Sequence, residues 1–255
     1  MVCHNENVRD TMENNLFKNI IFEVSVVLIT GITVLVTSYL EPITQGFFCD
    51  DESIKYQYKP STISNNTLCF LNLFLPNVMI WFEYYWCKHT CIKHVYIHTL
   101  YFWLGSGLSH ITVNVGKYCT GRLRPYFVEA CKPNVECLIK EQYINNYTCT
   151  NPNLAITIES KKSFPSGHAC LGFYSAVYTI LYINNKYKKN VLIVTIQFII
   201  FLTAWYIGLS RITDNMHFST DVLAGSIIGT LFALLMMYNV KMLKSNEQDS
   251  VSNII

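Results

Sequence analysis

The chain is short of charge. Lys and Arg number 19 and Asp and Glu 17, together 14% of 255 residues, where a soluble domain carries about 25%. The net charge is +2 and no basic stripe dominates. That excludes the electrostatic footprint of a nucleic-acid-binding protein. No internal repeat or low-complexity tract is present, so one domain is the simplest organisation. A secretory signal is also missing. Glu6, Asp10 and Glu13 precede the first apolar run and no small-residue cleavage site follows it, so that run is expected to stay as a membrane span. What the chain has in quantity is apolar: 51% hydrophobic, 14% aromatic, mean hydropathy +0.25. Disorder is thereby excluded, and the scarcity of charge points to lipid, which admits ionised groups only in special places.

A spanning helix needs about 20 mostly apolar residues. Six stretches qualify: 20–40, 68–86, 95–115, 166–183, 191–209 and 222–240. The fourth has a short apolar core, and an even number of spans keeps the polar loops on consistent sides. The expected fold is therefore all-α and polytopic, with one six-span domain over 1–244 and a flexible cytoplasmic tail over 245–255. Lys88 and Lys93, then Lys186, Lys188 and Lys189, then Lys241 and Lys244 follow spans two, four and six. These basic segments place their side, and both termini, in the cytoplasm. The segments 41–67, 116–165 and 210–221 then face outside or into a lumen. Asn146 opens a glycosylation sequon in the middle one. Cys131, Cys137 and Cys149 lie there too, with Cys49 a further partner in the first outer loop, as suits an oxidising compartment. Their pairing is open. The other six cysteines are expected to be free apolar fillers. The sequon at Asn66 abuts span two and is expected to be unused. Gly225 and Gly229 form a small-xxx-small pair that suits close helix packing.

Three outer stretches hold the informative polar residues. In the first, Lys117 and Arg124 are seven apart, so a helix continuing from span three would point both the same way until Pro125 ends or bends it. Alone, that reads more simply as the basic flank of a span. In the second, Pro165-Ser166-Gly167-His168 makes a turn, an N-cap and a helix start, whose free N–H groups suit phosphate. In the third, Arg211 precedes His217 and Asp221, which are four apart and would share a helix face. A carboxylate there would hold one imidazole nitrogen as N–H and raise the basicity of the other. Arg211 adds a donor fork matched to phosphate oxygens.

Together these residues describe an anion site: three cations, two histidines, a carboxylate and a helix start. Metal binding fits less well, because two histidines and a carboxylate, even with Asp214, would sit beside three cations. Cys119 lies near Lys117 without an arranged base of its own. Glu23 and Glu83 fall inside spans, as in a transporter pathway, although no broken-helix pair accompanies them. Cys3 as an acylation site and the C-terminus as a docking peptide are weaker readings than an unmodified cysteine and a plain tail.

At these residues the chain resembles the lipid phosphate phosphatases, type 2 phosphatidate phosphatases of the wunen-like kind, within a superfamily that includes vanadium haloperoxidases. The family pattern is K-x6-R-P, P-S-G-H and S-R-x5-H-x3-D. Lys117 to Pro125, Pro165 to His168 and Ser210 to Asp221 match it at every position and in order. The run from Gly46 to Tyr56 also resembles the family's first outer loop. The resemblance implies a six-span phosphatase with an outer-side pocket. His217 would be the nucleophile, Asp221 its partner, and His168 the proton donor to the leaving alkoxide. Lys117, Arg124, Ser166, Gly167 and Arg211 would hold the phosphoryl group. It further implies Mg²⁺-independent turnover without a cofactor, lipid phosphates as substrates, and homo-oligomers as an option. The site would face outside at the plasma membrane, or the lumen at an internal one. The alternatives are a relative acting on another phosphate and a non-catalytic lipid- or partner-binding membrane protein.

Overall fold

The computed structural model describes residues 6–86, 92–135, 137, 139 and 141–252. The chain is an all-α membrane protein. In order it forms α1 (Glu6–Ser38), the short strand β1 (Phe47–Phe48), α2 (Asn65–Cys69), α3 (Leu75–Trp86), α4 (Ile92–Thr120), α5 (Phe127–Cys131), β2 (Tyr143–Ile144), α6 (Leu154–Glu159), α7 (Gly167–Lys186), α8 (Val191–Thr213) and α9 (Ser219–Ser252). Among the described residues, Lys18–Ser38 of α1, all of α8 and Ser219–Leu243 of α9 are long and apolar enough to cross a bilayer. Their outward faces carry Phe22, Leu28, Val191, Phe198 and Leu231. A lipid-facing helix must satisfy its own polar groups. In α1, Ser25, Thr30 and Thr33 accordingly each donate to the carbonyl one turn earlier, at 2.7–2.8 Å.

The other expected spans are also helical. α2 and α3 are joined by a π-helical turn, Phe70–Phe74. Pro76 has no N–H for the carbonyl of Asn72, and the Leu75 N–H reaches back five residues to Phe70 instead. α7 is the hub, packed on α9, α8 and α4. Its burial by other helices explains its modest apolar signal: Tyr174, Tyr178 and Tyr182 need protein neighbours rather than lipid. Tyr174 and Tyr178 donate to the carbonyls of Phe102 and His98 on α4, at 2.8 and 2.9 Å. Where α7 meets α9, a Cβ on Gly225 would overlap the Ser166 carbonyl, and one on Gly229 the Cys170 carbonyl. The small pair therefore serves a contact within the chain.

Glu23 pairs with the Tyr96 hydroxyl at 2.7 Å; the Glu83 side chain lies outside the described part. α9 is helical through Ser252, including the segment 245–252 expected as a tail. Cys3, Cys87, Lys88, Cys91 and residues 253–255 lie outside the described residues.

The three expected outer segments meet at one end of the bundle. β1 and β2 pair antiparallel with Phe47 opposite Ile144. Disulfides join Cys49 to Cys137 and Cys131 to Cys149. Cys69, Cys119 and Cys170 are free. Lys59 reaches the Thr213 carbonyl at 3.1 Å, and Asn215 the Gln57 carbonyl at 2.9 Å. Asn146 is exposed in this region, while Asn66 is inside α2.

Candidate active site

Three chain reversals build the site. α4 does not continue to Arg124. It stops at Thr120, because Gly121 turns left-handed (φ +55°) against the Ile43 carbonyl, where any Cβ would collide. Pro125 is therefore not what ends the helix. Arg124 lies in the following loop, its N–H bonded to the Ser160 carbonyl at 2.8 Å. Lys117 and Arg124 still converge, from different elements, on the Glu159 carboxylate at the end of α6: Arg124 bonds it directly and Lys117 Nζ is 3.9 Å away.

The second reversal is the turn into α7. Ser166 is its N-cap, with Oγ facing the Ala169 N–H at 3.5 Å. The Ser166 side chain is fully buried there. His168 sits in the first turn of α7, and its Nε2 lies 3.2 Å from the Ile63 carbonyl. A carbonyl can only accept, so the proton is on Nε2.

The third is the loop from α8 to α9, where Asn215 takes a positive φ of 58°. The main-chain N–H groups of Met216 and His217 fold back onto the Arg211 carbonyl at 2.9 and 3.1 Å. Arg211 donates to Ser210 Oγ, to Ser61 Oγ at 2.5 Å and to Asp214 at 3.0 Å. Asp214 in turn holds Thr62. α9 begins only at Ser219, so His217 and Asp221 do not share a helix face. His217 Nδ1 is 3.8 Å from Asp221 Oδ2, beyond hydrogen-bond range. It is 2.6 Å from the Ser163 carbonyl, which fixes the proton on Nδ1 and the lone pair on Nε2.

Six of the eight expected residues line one cavity of about 580 Å³: Lys117, Arg124, Gly167, His168, Arg211 and His217. Asp221 is completely buried behind His217. It accepts from Ser163 Oγ (2.6 Å), the Phe218 N–H (3.0 Å) and Arg122 (2.6 Å). Ser166 is the other residue off the cavity, held by its capping role. Glu159, Lys162, His110 and Asn114 also line it. Sequence reasoning missed them: Lys162 and Glu159 lie between motifs, and His110 and Asn114 lie within a run read only as a span. Arg122 was inside the first motif but had no visible partner. Among the described residues no group of three or more His, Cys, Asp or Glu is placed to hold a metal ion.

Charge follows from this crowding. Burial would lower the Arg124 pKa, but the Glu159 carboxylate, Tyr126 and Asp221 together outweigh it and raise it. Burial would raise Glu159, and Arg124, Lys117 and Lys162 outweigh that, holding it below the usual carboxylate range. His217 is pushed below the ordinary imidazole value by burial and the Arg124 charge, with Asp221 opposing only in part. An anion would meet several cations here, one carboxylate and a neutral imidazole with a free lone pair.

Residues 98–245 match the PAP2 superfamily, and the chain belongs to it. It is 30% identical over 250 residues to Phospholipid phosphatase 1 of Rattus norvegicus, covering 90% of this chain and 88% of the relative. It is 36% identical over 224 residues to the Phospholipid phosphatase homolog 1.2 homolog of Caenorhabditis elegans, covering 78% of this chain and 65% of the relative. Phospholipid phosphatase 2 of Bos taurus is 29% identical over 85% of this chain and 80% of its own length. No solved structure gives a significant match.

Proposed function

We propose that the protein is a lipid phosphate phosphatase. In this reading it hydrolyses the phosphomonoester of phosphatidate, lysophosphatidate, sphingosine 1-phosphate or ceramide 1-phosphate through a phosphohistidine. The observation that carries the reading is the convergence of three distant motifs on one cavity, with the His217 Nε2 lone pair available. His217 Nε2 attacks phosphorus and the P–O bond to the lipid breaks. His168, protonated also on Nδ1 once the anionic phosphate is bound, gives that second proton to the departing alkoxide and keeps the Nε2 proton that faces the Ile63 carbonyl. Water then attacks the phosphohistidine, loses a proton to His168 and leaves as phosphate, restoring both histidines. Lys117, Arg124 and Arg211 offset the charge on the phosphoryl oxygens, joined by the Gly167 N–H at the start of α7. We assign no role to a metal, because these cations supply the charge. The names of the relatives support a phospholipid substrate. Six spans, with α2–α3, α4 and α7 as the remaining three, complete the reading. The cavity then opens on the outer face of the plasma membrane or the lumen of an internal one, beside Asn146 as a glycan acceptor.

The test is phosphate release by the full chain in vesicles, from the four lipid phosphates and from glucose 6-phosphate, with EDTA present. Lipid phosphates should be hydrolysed and His217→Ala should abolish turnover. Unchanged release by His217→Ala sinks the mechanism. A preference for glucose 6-phosphate sinks the substrate class.

A further inference from the structure

Asp221 is fully buried, and an ionised carboxylate in such a place needs full pairing. His217 does not supply it, at 3.8 Å. Arg122 does. Its Nη1 donates to Asp221 Oδ1 at 2.6 Å and to Thr220 Oγ1 at 2.9 Å. Its guanidinium lies 4.4 Å from the centre of the Phe218 ring, next in chain to His217. The Arg122 main chain joins the same circuit: its carbonyl accepts the Ser163 N–H at 2.9 Å. Ser163 then uses its own carbonyl to hold His217 Nδ1 and its hydroxyl to hold Asp221 Oδ2, both at 2.6 Å. The loop after α4, the segment before α7 and the start of α9 are thus closed into one ring around His217. Arg122 and Ser163 are its two junctions. Arg122 is only partly exposed, and it is not among the residues lining the cavity.

We propose that Arg122 is a positioning residue for the phosphoryl transfer. It clamps Asp221 and the Ser163 segment so that His217 presents Nε2 to the phosphorus. The inference rests on His217 being the nucleophile. Arg122 acts through other groups, so its loss falls on kcat rather than on substrate binding. Lysine would replace one ion pair but neither the second hydrogen bond nor the stacking.

The experiment compares Arg122→Ala, Arg122→Lys and His217→Ala in the full chain, with lysophosphatidate as substrate and with added guanidinium at low millimolar concentration. Arg122→Ala should lose about 10- to 100-fold in kcat, as is common when a partner behind a reacting residue is removed, with KM unchanged. Guanidinium should restore part of that loss, and none in His217→Ala. Arg122→Lys should fall between Ala and the parent. Parental kcat in Arg122→Ala overturns the proposal. So does a loss confined to KM, or a loss that neither guanidinium nor Lys relieves. Activity in His217→Ala instead overturns the reading on which the proposal rests, and is recognised separately.

Discussion

The Nδ1 of His217 is 2.6 Å from the main-chain carbonyl of Ser163 and 3.8 Å from the Asp221 carboxylate. The ring is therefore oriented by a backbone carbonyl. Asp221 is one step back; under the proposed mechanism it responds when positive charge develops on the imidazole.

The first prediction concerns protonation. Burial and the Arg124 charge lower the His217 pKa from its ordinary 6.5, with Lys117 adding and Asp221 opposing. The fold thus favours the neutral ring. Below pH 6.5 the unfolded chain takes up this proton first, so acidification through that range removes stability. In the substrate-free protein with labelled histidine, the imidazole resonance assigned by loss in His217→Gln should still be neutral at pH 6. A midpoint at 6.5 or above would contradict this.

Arg124 bonds Glu159 through one guanidinium nitrogen and the Lys162 carbonyl through two. Arg124→Ala should lower kcat/KM about 10²- to 10³-fold, the usual scale for one lost donor to a developing anion. Arg124→Lys should recover little, since a single ammonium cannot match the planar fork. Near-parental steady-state kinetics in the Lys variant would count against a role for the fork.

Glu159 places a negative charge among the cavity's cations. Glu159→Gln keeps an acceptor for Arg124 and removes the charge. Inorganic phosphate should then inhibit about fivefold more tightly, equivalent to the ~1 kcal/mol between unit charges 4 Å apart in water. Weaker inhibition would mean that the carboxylate matters chiefly for holding Arg124.

The α7–α9 crossing has no room at Gly229, where a Cβ would also come within 2.9 Å of the Tyr174 nitrogen. Gly229→Ala should destabilise by about 1–3 kcal/mol, the scale of core overpacking. Gly31, with nothing within 4 Å of a built Cβ, is the control. Thermal unfolding in detergent should separate Gly229→Ala from Gly31→Ala; equal midpoints would argue against the close crossing.

The disulfides span 88 and 18 residues. By chain entropy they are worth about 4.6 and about 3 kcal/mol. Non-reducing peptide maps should show Cys49 with Cys137 and Cys131 with Cys149, and Cys49→Ser with Cys137→Ser should lower the unfolding midpoint more than the other pair. The opposite order would locate the main constraint in the 131–149 loop.

The scarcity of charge was legible as membrane helices because lipid acts on each segment locally. α1, α8 and α9 face outward, so composition alone identifies them. α7 was the hardest to read because its tyrosines answer to α4 and α9. The motif residues were legible as types and spacings, and six of the eight do share a cavity. Their routes there were not. The helical phase expected between Lys117 and Arg124 is broken at Gly121, and the one expected between His217 and Asp221 fails because α9 starts after His217.

By itself the sequence determined an all-α membrane protein and the three polar stretches that mark its candidate site, since hydropathy and motif spacing are carried by neighbouring residues. Only the tertiary structure decided the cysteine pairing, the Glu159 bridge between Lys117 and Arg124, the carbonyl that orients His217 and the Arg122 clamp on Asp221. Each of these joins groups far apart in the chain, and burial makes such partners necessary without any local pattern that names them.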